Sequence, residues 1–409
     1  MSSKKTKLRR YSLANGLTIL HDSRESEVIT IQITIKIGSI HETKEIAGIS
    51  HYLEHLLFEG TKKRKDSKII SNEIESRGGN FNAYTTNERT AYYVTIHRDF
   101  FDVALDVLAD MMQNSTFNKK PVETERKVIL DEINLVTDEP RNHQWILFFK
   151  TLFQNHPVKN PTYSTVETMK SINKPQILDY YTSYYVPNNM IVTVVGNIKN
   201  LKSKILSKFK NARQNPLNIN LDLTEPAQTS VRKIIEQRKI QTSYLVFGYK
   251  TVPRQHKDSY VFDIIKAILG RGQSGRLFYE IRTKNALAYE IGCHNDSGKT
   301  YGAFCIYLST NKKNINKALA IVQKELKKMK QIAKKDLEEA KTFLIGNLFL
   351  QTEDSHGRAD LLSTWETISK AEDADNYLSK IKKVSIADVR RVAKRYFTKN
   401  YSLAIVMQK

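Results

Sequence analysis

Two cysteines are all the thiol chemistry that 409 residues contain. Cys293 and Cys305 stand outside any metal-ligand spacing and offer at most one pair. Neither a disulfide framework nor a thiolate zinc site therefore organises this chain, and two buried or semi-buried thiols in a reducing compartment are expected. Long apolar runs are missing as well. The densest, Met190 to Val195, has the length of a strand and falls far short of the roughly 20 residues that cross a bilayer. The opening, Met1 to Arg10, is basic and polar. It lacks the apolar stretch of a secretory signal and is too short for a transit peptide. It reads as a loose tail, and the mature protein as cytoplasmic with no membrane span.

Acidic residues are outnumbered: 65 Lys and Arg face 43 Asp and Glu, a net charge of +22. Such a field attracts nucleic acid, anionic membranes or acidic peptides. The cations, however, are spread along the chain, and the clusters at Lys62 to Lys65 and Lys327 to Lys335 read as solvated loop and helix faces. No stretch interleaves basic residues with stacking aromatics, so no dedicated nucleic-acid site is expected. With 40% hydrophobic and 26% charged residues the chain has a globular balance, and its length suits two domains.

One distant duplication organises the chain. SINKPQILDYYTSYYVPNNMIVTVV (Ser171 to Val195) and SIADVRRVAKRYFTKNYSLAIVM (Ser385 to Met407) both read as a helix ending in aromatics, a short turn and an apolar strand. Aligning Asn189 with Asn400 sets the halves 211 positions apart, the period of a duplicated domain and not of a solenoid. The expected boundaries are a first domain over 1–210, a linker over 211–229 rich in Asn, Pro, Thr and Gln, and a second domain over 230–409. Leu17 to Leu20, Thr90 to Ile96, Thr242 to Tyr249 and Ala303 to Leu308 read as strands. So does Ile29 to Ile37, where isoleucine recurs at every second position. Phe101 to Asn114, Pro121 to Val136 and Ile315 to Ile332 read as helices. The fold class is therefore α+β, two homologous α/β sandwiches with helices packed on a largely antiparallel sheet.

Gly48 to Phe58 carries the chemistry. As a helix it places Ile49, Leu53, Leu56 and Leu57 on one face and His51 and His55, one turn apart, on another. Two neutral imidazoles one turn apart can bind the same ion, and Glu54 lies beside them without having to ligate it. Zinc suits this donor set, because two histidines and one carboxylate leave a position for a water made acidic enough to attack a peptide carbonyl. Glu54 is the general base for that water. The order His-x-x-Glu-His is the inverse of the commoner zincin motif. A third ligand is needed. On the helix over Pro121 to Glu139, Glu125 and Glu132 lie two turns apart on one face, and Val122, Ile129, Ile133 and Val136 make an apolar stripe. Glu132 is the candidate ligand, and Glu125 the candidate group behind a ligand. The other histidines, His21, His41, His97, His143, His156, His256, His294 and His356, lack ligand spacing.

GSIHETKEIAGISHYLEHLLFEGTKKR (Gly38 to Arg64) resembles the active-site region of the pitrilysin/insulinase family of zinc peptidases, in its mitochondrial-processing-peptidase-like, half-length branch. Leu13-Ala14-Asn15-Gly16-Leu17-Thr18 is similar to the family's first strand. The 76 residues between His55 and Glu132 match the family's spacing, as does the context Glu125-Arg126-Lys127-Val128-Ile129-Leu130-Asp131-Glu132. The resemblance runs from Leu13 to the last strand and implies the duplicated halves. It implies a substrate-edge strand at Asn80, Phe81, Asn82 and Ala83, to which an extended peptide adds. It implies that Arg282 and Tyr289, which follow a Gly-rich loop at Gly270 to Phe278, hold the substrate backbone and the developing oxyanion. It also implies one zinc ion per chain and a two-fold homodimer in which each metal centre faces the partner chain's Arg/Tyr pair, or a related subunit in the partner's place. Near Asn155 to Thr165 the sequence departs from the family, lacking a glycine often seen after the His-Pro pair. The function expected is a zinc endopeptidase acting on peptides or unfolded chains in a closed chamber. The alternatives are a non-catalytic structural or substrate-binding subunit on the same scaffold, and a basic binding protein whose metal site is incidental.

Overall fold

The computed structural model describes residues 8–217, 219, 221 and 223–409. The chain forms two compact units, each discontinuous in sequence. The first is Met1–Ile133, Pro161–Leu221 and Gln351–Ala374; the second is Asn134–Asn160, Asp222–Leu350 and Asp375–Lys409.

The first unit is built on strands β1 (Leu8–Ser12), β2 (Thr18–Asp22), β3 (Val28–Ile35), β4 (Asn80–Thr85), β5 (Thr90–His97) and β6 (Met190–Val195). Among the described residues they form one sheet in the order β1-β2-β6-β3-β5-β4. All neighbours are antiparallel except β2 and β6. The second unit holds β7 (Arg232–Arg238), β8 (Ser243–Lys250), β9 (Ala288–Ser297), β10 (Gly302–Thr310) and β11 (Ser402–Gln408) in the order β7-β11-β8-β10-β9. Here only β7 and β11 are parallel. Apart from β1, the two orders are one pattern, so the duplication extends to topology. The two repeated segments begin alike: Asn173 with Gln176, and Ser385 with Asp388, close reciprocal capping boxes at their helix starts.

The period-two isoleucines of β3 build one face of the core. Ile29, Ile31, Ile33 and Ile35 are fully buried, and so are Ile49 and Leu53 from α1 (Ile49–Leu56) and Ile70 and Ile74 from α2 (Ser67–Glu75). Each such side chain contributes about 1.5–3 kcal/mol by leaving water. The same cluster takes in Leu105 and Leu108 from α3 (Phe101–Asn114) and Ile129 and Ile133 from α4 (Lys119–Asp138).

The alternate residues of β3, Thr30, Gln32 and Thr34, are fully buried too. Their face is covered by the helix Ser355–Ile368, which arrives from the far end of the chain. Hydroxyl pairs make that contact: Thr30 Oγ1 with Ser355 Oγ and Thr193 Oγ1 with Ser363 Oγ, both at 2.8 Å. Arg358 Nε donates to the buried carboxylate of Asp22 at 2.7 Å. In the second unit α5 (Pro140–Leu152) plays the corresponding part. Its Phe148 lies where a side chain at Gly248 of β8 would stand, and His143 Nε2 is 2.9 Å from Glu236 Oε2 on β7. Each sheet is thus covered on one face by a helix from the other half of the sequence, where the expected boundaries were contiguous.

The basic start also differs from the expected tail. Residues 1–7 lie outside the described set, but Leu8 to Arg10 open β1, and Arg10 pairs with Glu366 at 2.6 Å. Residues 218, 220 and 222 of the expected linker lie outside the described residues as well. Among the described residues no helix is long and apolar enough to cross a membrane.

Candidate metal centre

The short helix α1 begins at Gly48, whose φ of +93° lies in the left-handed region. A side chain there would also come within 2.7 Å of Ser164 Cβ, so glycine answers both demands. From that start Ile49, Leu53, Leu56 and Leu57 turn into the core, as their spacing predicts. His51 and His55 share the other stripe, with ring centroids 4.8 Å apart at 71°.

Helix α4 runs past this stripe. Its Val122, Ile129 and Ile133 are buried, which leaves Glu125 and Glu132 on the side towards α1. The Nε2 atoms of His51 and His55 lie 3.7 and 3.9 Å from the same oxygen of Glu132. Among the described residues these three make the one group of histidine, cysteine and carboxylate side chains close enough to share an ion, with ligand atoms within 4.8 Å of one another. Two imidazole nitrogens and one carboxylate oxygen gathered this closely make a donor set that suits zinc. Behind His55 stands Glu125, whose Oε2 is 3.0 Å from Nδ1. That bond fixes the tautomer, keeping the proton on Nδ1 and presenting Nε2 to the ion.

The two histidines differ electrostatically. Burial, with the neighbouring His55 charge, pushes the His51 pKa down to about 4, so it is neutral at physiological pH and its approach to Glu132 is not an ion pair. At His55 burial also works downward, but the Glu125 hydrogen bond and the carboxylates of Glu54, Glu125 and Glu132 outweigh it and raise the pKa. His55 must therefore lose a proton before it binds a metal, and His51 need not. Zinc affinity of the metal-free protein is expected to rise about tenfold per pH unit below the raised His55 pKa and to level off above it. Calorimetry in buffers of different ionisation enthalpy should show close to one proton released per zinc below that point. An affinity flat across this range contradicts the assignment.

Glu54 projects beside the triad. Burial is the largest influence on it and raises its pKa, against a hydrogen bond from Thr85 Oγ1 to Glu54 Oε2 at 2.6 Å. Thr85 is the last residue of β4, the edge strand of the first sheet. Asn80, Phe81, Asn82 and Ala83, the expected substrate strand, are the first four residues of β4 and pair with β5 on one side only among the described residues. Ala83 N–H donates to Asn82 Oδ1 at 2.8 Å, and the Phe81 ring sits 5.5 Å from Phe58. Sequence reasoning assigned Thr85 no role toward Glu54. Its signal is the strand period, which puts Thr85 on the same face as Phe81 and Ala83.

Arg282 and Tyr289 belong to the second unit. The turn after Gly272–Ser274 leads into a wide helical turn over Phe278–Thr283, and Tyr289 is the second residue of the edge strand β9. The Arg282 guanidinium lies 4.9 Å from the centres of both the Phe278 and Tyr289 rings, so the structure brings the expected pair together. Tyr289 is 76% exposed, its ring open to a ligand.

The sequence model of the insulinase family (Peptidase family M16) matches residues 17–166, and that of the Peptidase M16 inactive domain matches residues 171–344. The chain is 29% identical over 403 residues to the protein named "Uncharacterized zinc protease YmxG" of Bacillus subtilis, covering 98% of each. It is 28% identical over 398 residues to an "Uncharacterized zinc protease" of Rickettsia bellii, covering 96% of each. A solved structure of a protease from Helicobacter pylori has the same fold, with a TM-score of 0.93 at 24% identity over 98% of this chain and 99% of that one. A putative M16-like peptidase from Alicyclobacillus acidocaldarius matches with a TM-score of 0.86 at 17% identity, each chain covered fully. With the His51, His55 and Glu132 cluster inside the segment matched by the insulinase-family model, and the two models together matching most of the sequence, the chain belongs to the insulinase family of peptidases, family M16.

Proposed function

We propose that this chain is a zinc-dependent endopeptidase that cleaves extended peptides or unfolded polypeptides. One observation carries the reading: the convergence of His51, His55 and Glu132 lies beside a glutamate, Glu54, that is bonded to the end of an open edge strand. His51, His55 and Glu132 hold the metal, which when bound supplies Lewis acidity to the substrate carbonyl and to the attacking water. Glu54 takes a proton from that water and returns it to the leaving amine, and its raised pKa suits both steps. Strand β4 binds the peptide as a further strand, so that backbone hydrogen bonds hold it in register while Thr85 orients the base. Glu125 orients His55.

Arg282 and Tyr289 hold the substrate backbone and the developing negative charge. Those two residues come from a second copy in this reading: the protein works as a two-fold homodimer, each metal centre completed by the partner's Arg282 and Tyr289, around a closed chamber. The cytoplasmic setting remains part of the proposal. Cys293 and Cys305 are free, buried thiols on opposite faces of the β9–β10 pair. Digestion of an unstructured peptide, read by mass spectrometry, tests the activity. Internal cleavage that stops on chelation and returns with zinc is expected; trimming from the ends alone, or cleavage indifferent to chelator, overturns it.

A further inference from the structure

Helix α1 has an unusual start for an element that must hold two metal ligands in place. Its first N–H groups have no partners within the helix, and Gly48, Ile49 and Ser50 are all buried. Gly48 has no side chain to cap them, and the close approach of Ser164 leaves no room for one. The missing acceptor comes from Glu42, just past the short turn over Ser39–His41. Its Oε2 accepts from Gly48 N at 2.6 Å and its Oε1 from Ser50 N at 2.8 Å. One carboxylate thus satisfies two helix-start donors and sets a negative charge at the positive end of the helix. The same turn is tied a second time, by Ser50 Oγ and Tyr180 OH at 2.8 Å.

The side chain of Glu42 retains some contact with the surface, but its carboxylate is enclosed. Burial, opposed by the two N–H donors, pushes its pKa up to about 7. An enclosed carboxylate is a costly way to cap a helix unless position matters. Position does matter here, since His51 is the third residue of α1 while Glu132 stands on a different helix. The ligand spacing is therefore the spacing of α1 and α4. Tyr52, which donates to the Val122 carbonyl of α4 beneath the Arg126 guanidinium, and His55, bonded to Glu125, join the two helices, while the Glu42 clasp holds the start of α1.

We propose that Glu42 is a positioning residue for the metal centre, its carboxylate fixing the axial and rotational place of α1 and thereby the affinity for zinc. This rests on the reading that His51, His55 and Glu132 bind the ion. The test is zinc affinity, measured by competition with a chromogenic chelator, on the full chain and well below the melting temperature. In Glu42→Gln one acceptor becomes a donor facing a helix N–H. The expected result is zinc affinity weaker by about 10–100-fold, the range for groups that orient ligands, with one zinc per chain still bound at saturation. Glu42→Asp, with the charge kept on a stem one methylene shorter, is expected to fall between, and serves if the Gln variant does not fold. Arg358→Met, which breaks the Asp22 contact elsewhere in the unit, controls for lost stability and is expected to bind zinc like the wild type. Glu42 variants with affinity within twofold of wild type, or an Arg358→Met loss as large as theirs, overturn the proposal while leaving the zinc site standing. A wild type that binds no zinc overturns both.

Discussion

Glu54→Gln is expected to lower kcat/KM for peptide cleavage by about 10²–10⁴-fold while leaving zinc content at the wild-type level. The substitution keeps the size of the side chain and an oxygen that can accept the Thr85 hydroxyl. It removes only the ability to take a proton. Enclosure beside the triad already makes the ionised carboxylate less comfortable than in water, which raises its basicity. The helix should not move, because its apolar residues and its start are untouched. Rates should therefore fall through kcat, with KM changed little. Kinetics and metal analysis on one preparation check this. An unchanged rate, or a loss that tracks loss of zinc, removes Glu54 from the role of base.

Arg282→Ala is expected to cost about 10²–10³-fold in kcat, the range for one donor to a developing oxyanion. Zinc content should again be unaffected, since Arg282 belongs to the other unit and touches no ligand. The guanidinium is held between two rings, an arrangement that keeps a cation oriented without neutralising it. Mixing Arg282→Ala chains with Glu54→Gln chains then asks where the pair acts. If each metal centre uses the partner's Arg282, a mixed dimer holds one intact site, and activity returns in part. No return in a mixture shown to exchange subunits contradicts sharing between chains.

The sequence made one part of this site plain and hid another. His51 and His55 were legible because a turn of helix separates them and the apolar residues fix which face they occupy. Glu132 was legible only through its spacing from His55, for a helix with several glutamates gives no internal reason to choose one. Arg282 and Tyr289 came from resemblance alone, since nothing in their spacing announces a guanidinium between two rings. Glu42 carries no periodic signal at all; it acts through a reversal of the chain that brings it back to Gly48 and Ser50.

In the fold, most strands and the helix over Phe101–Asn114 followed from period and composition, while β1, β4, β7 and β9 did not. The helix crossing to the first sheet did not. Thr30, Gln32 and Thr34 alternate with isoleucines, yet they are buried, and Thr30 and the neighbouring Thr193 of β6 meet serine hydroxyls of a distant helix. Polarity marks a solvent face only when no other polar surface of the chain is available to cover it. The basic start misled for a similar reason: Leu8 to Arg10 gain order from pairing with β2, which their charge does not reveal.

The most direct test of the central claim, a peptidase centred on His51, His55 and Glu132, is a zinc titration of the metal-free wild-type chain. Cleavage of an unstructured peptide is followed by mass spectrometry at each addition. Activity that rises in proportion to zinc and saturates at one ion per chain is the result predicted. Cleavage by the metal-free chain, or a chain saturated with zinc that leaves the peptide whole, is the result that contradicts it.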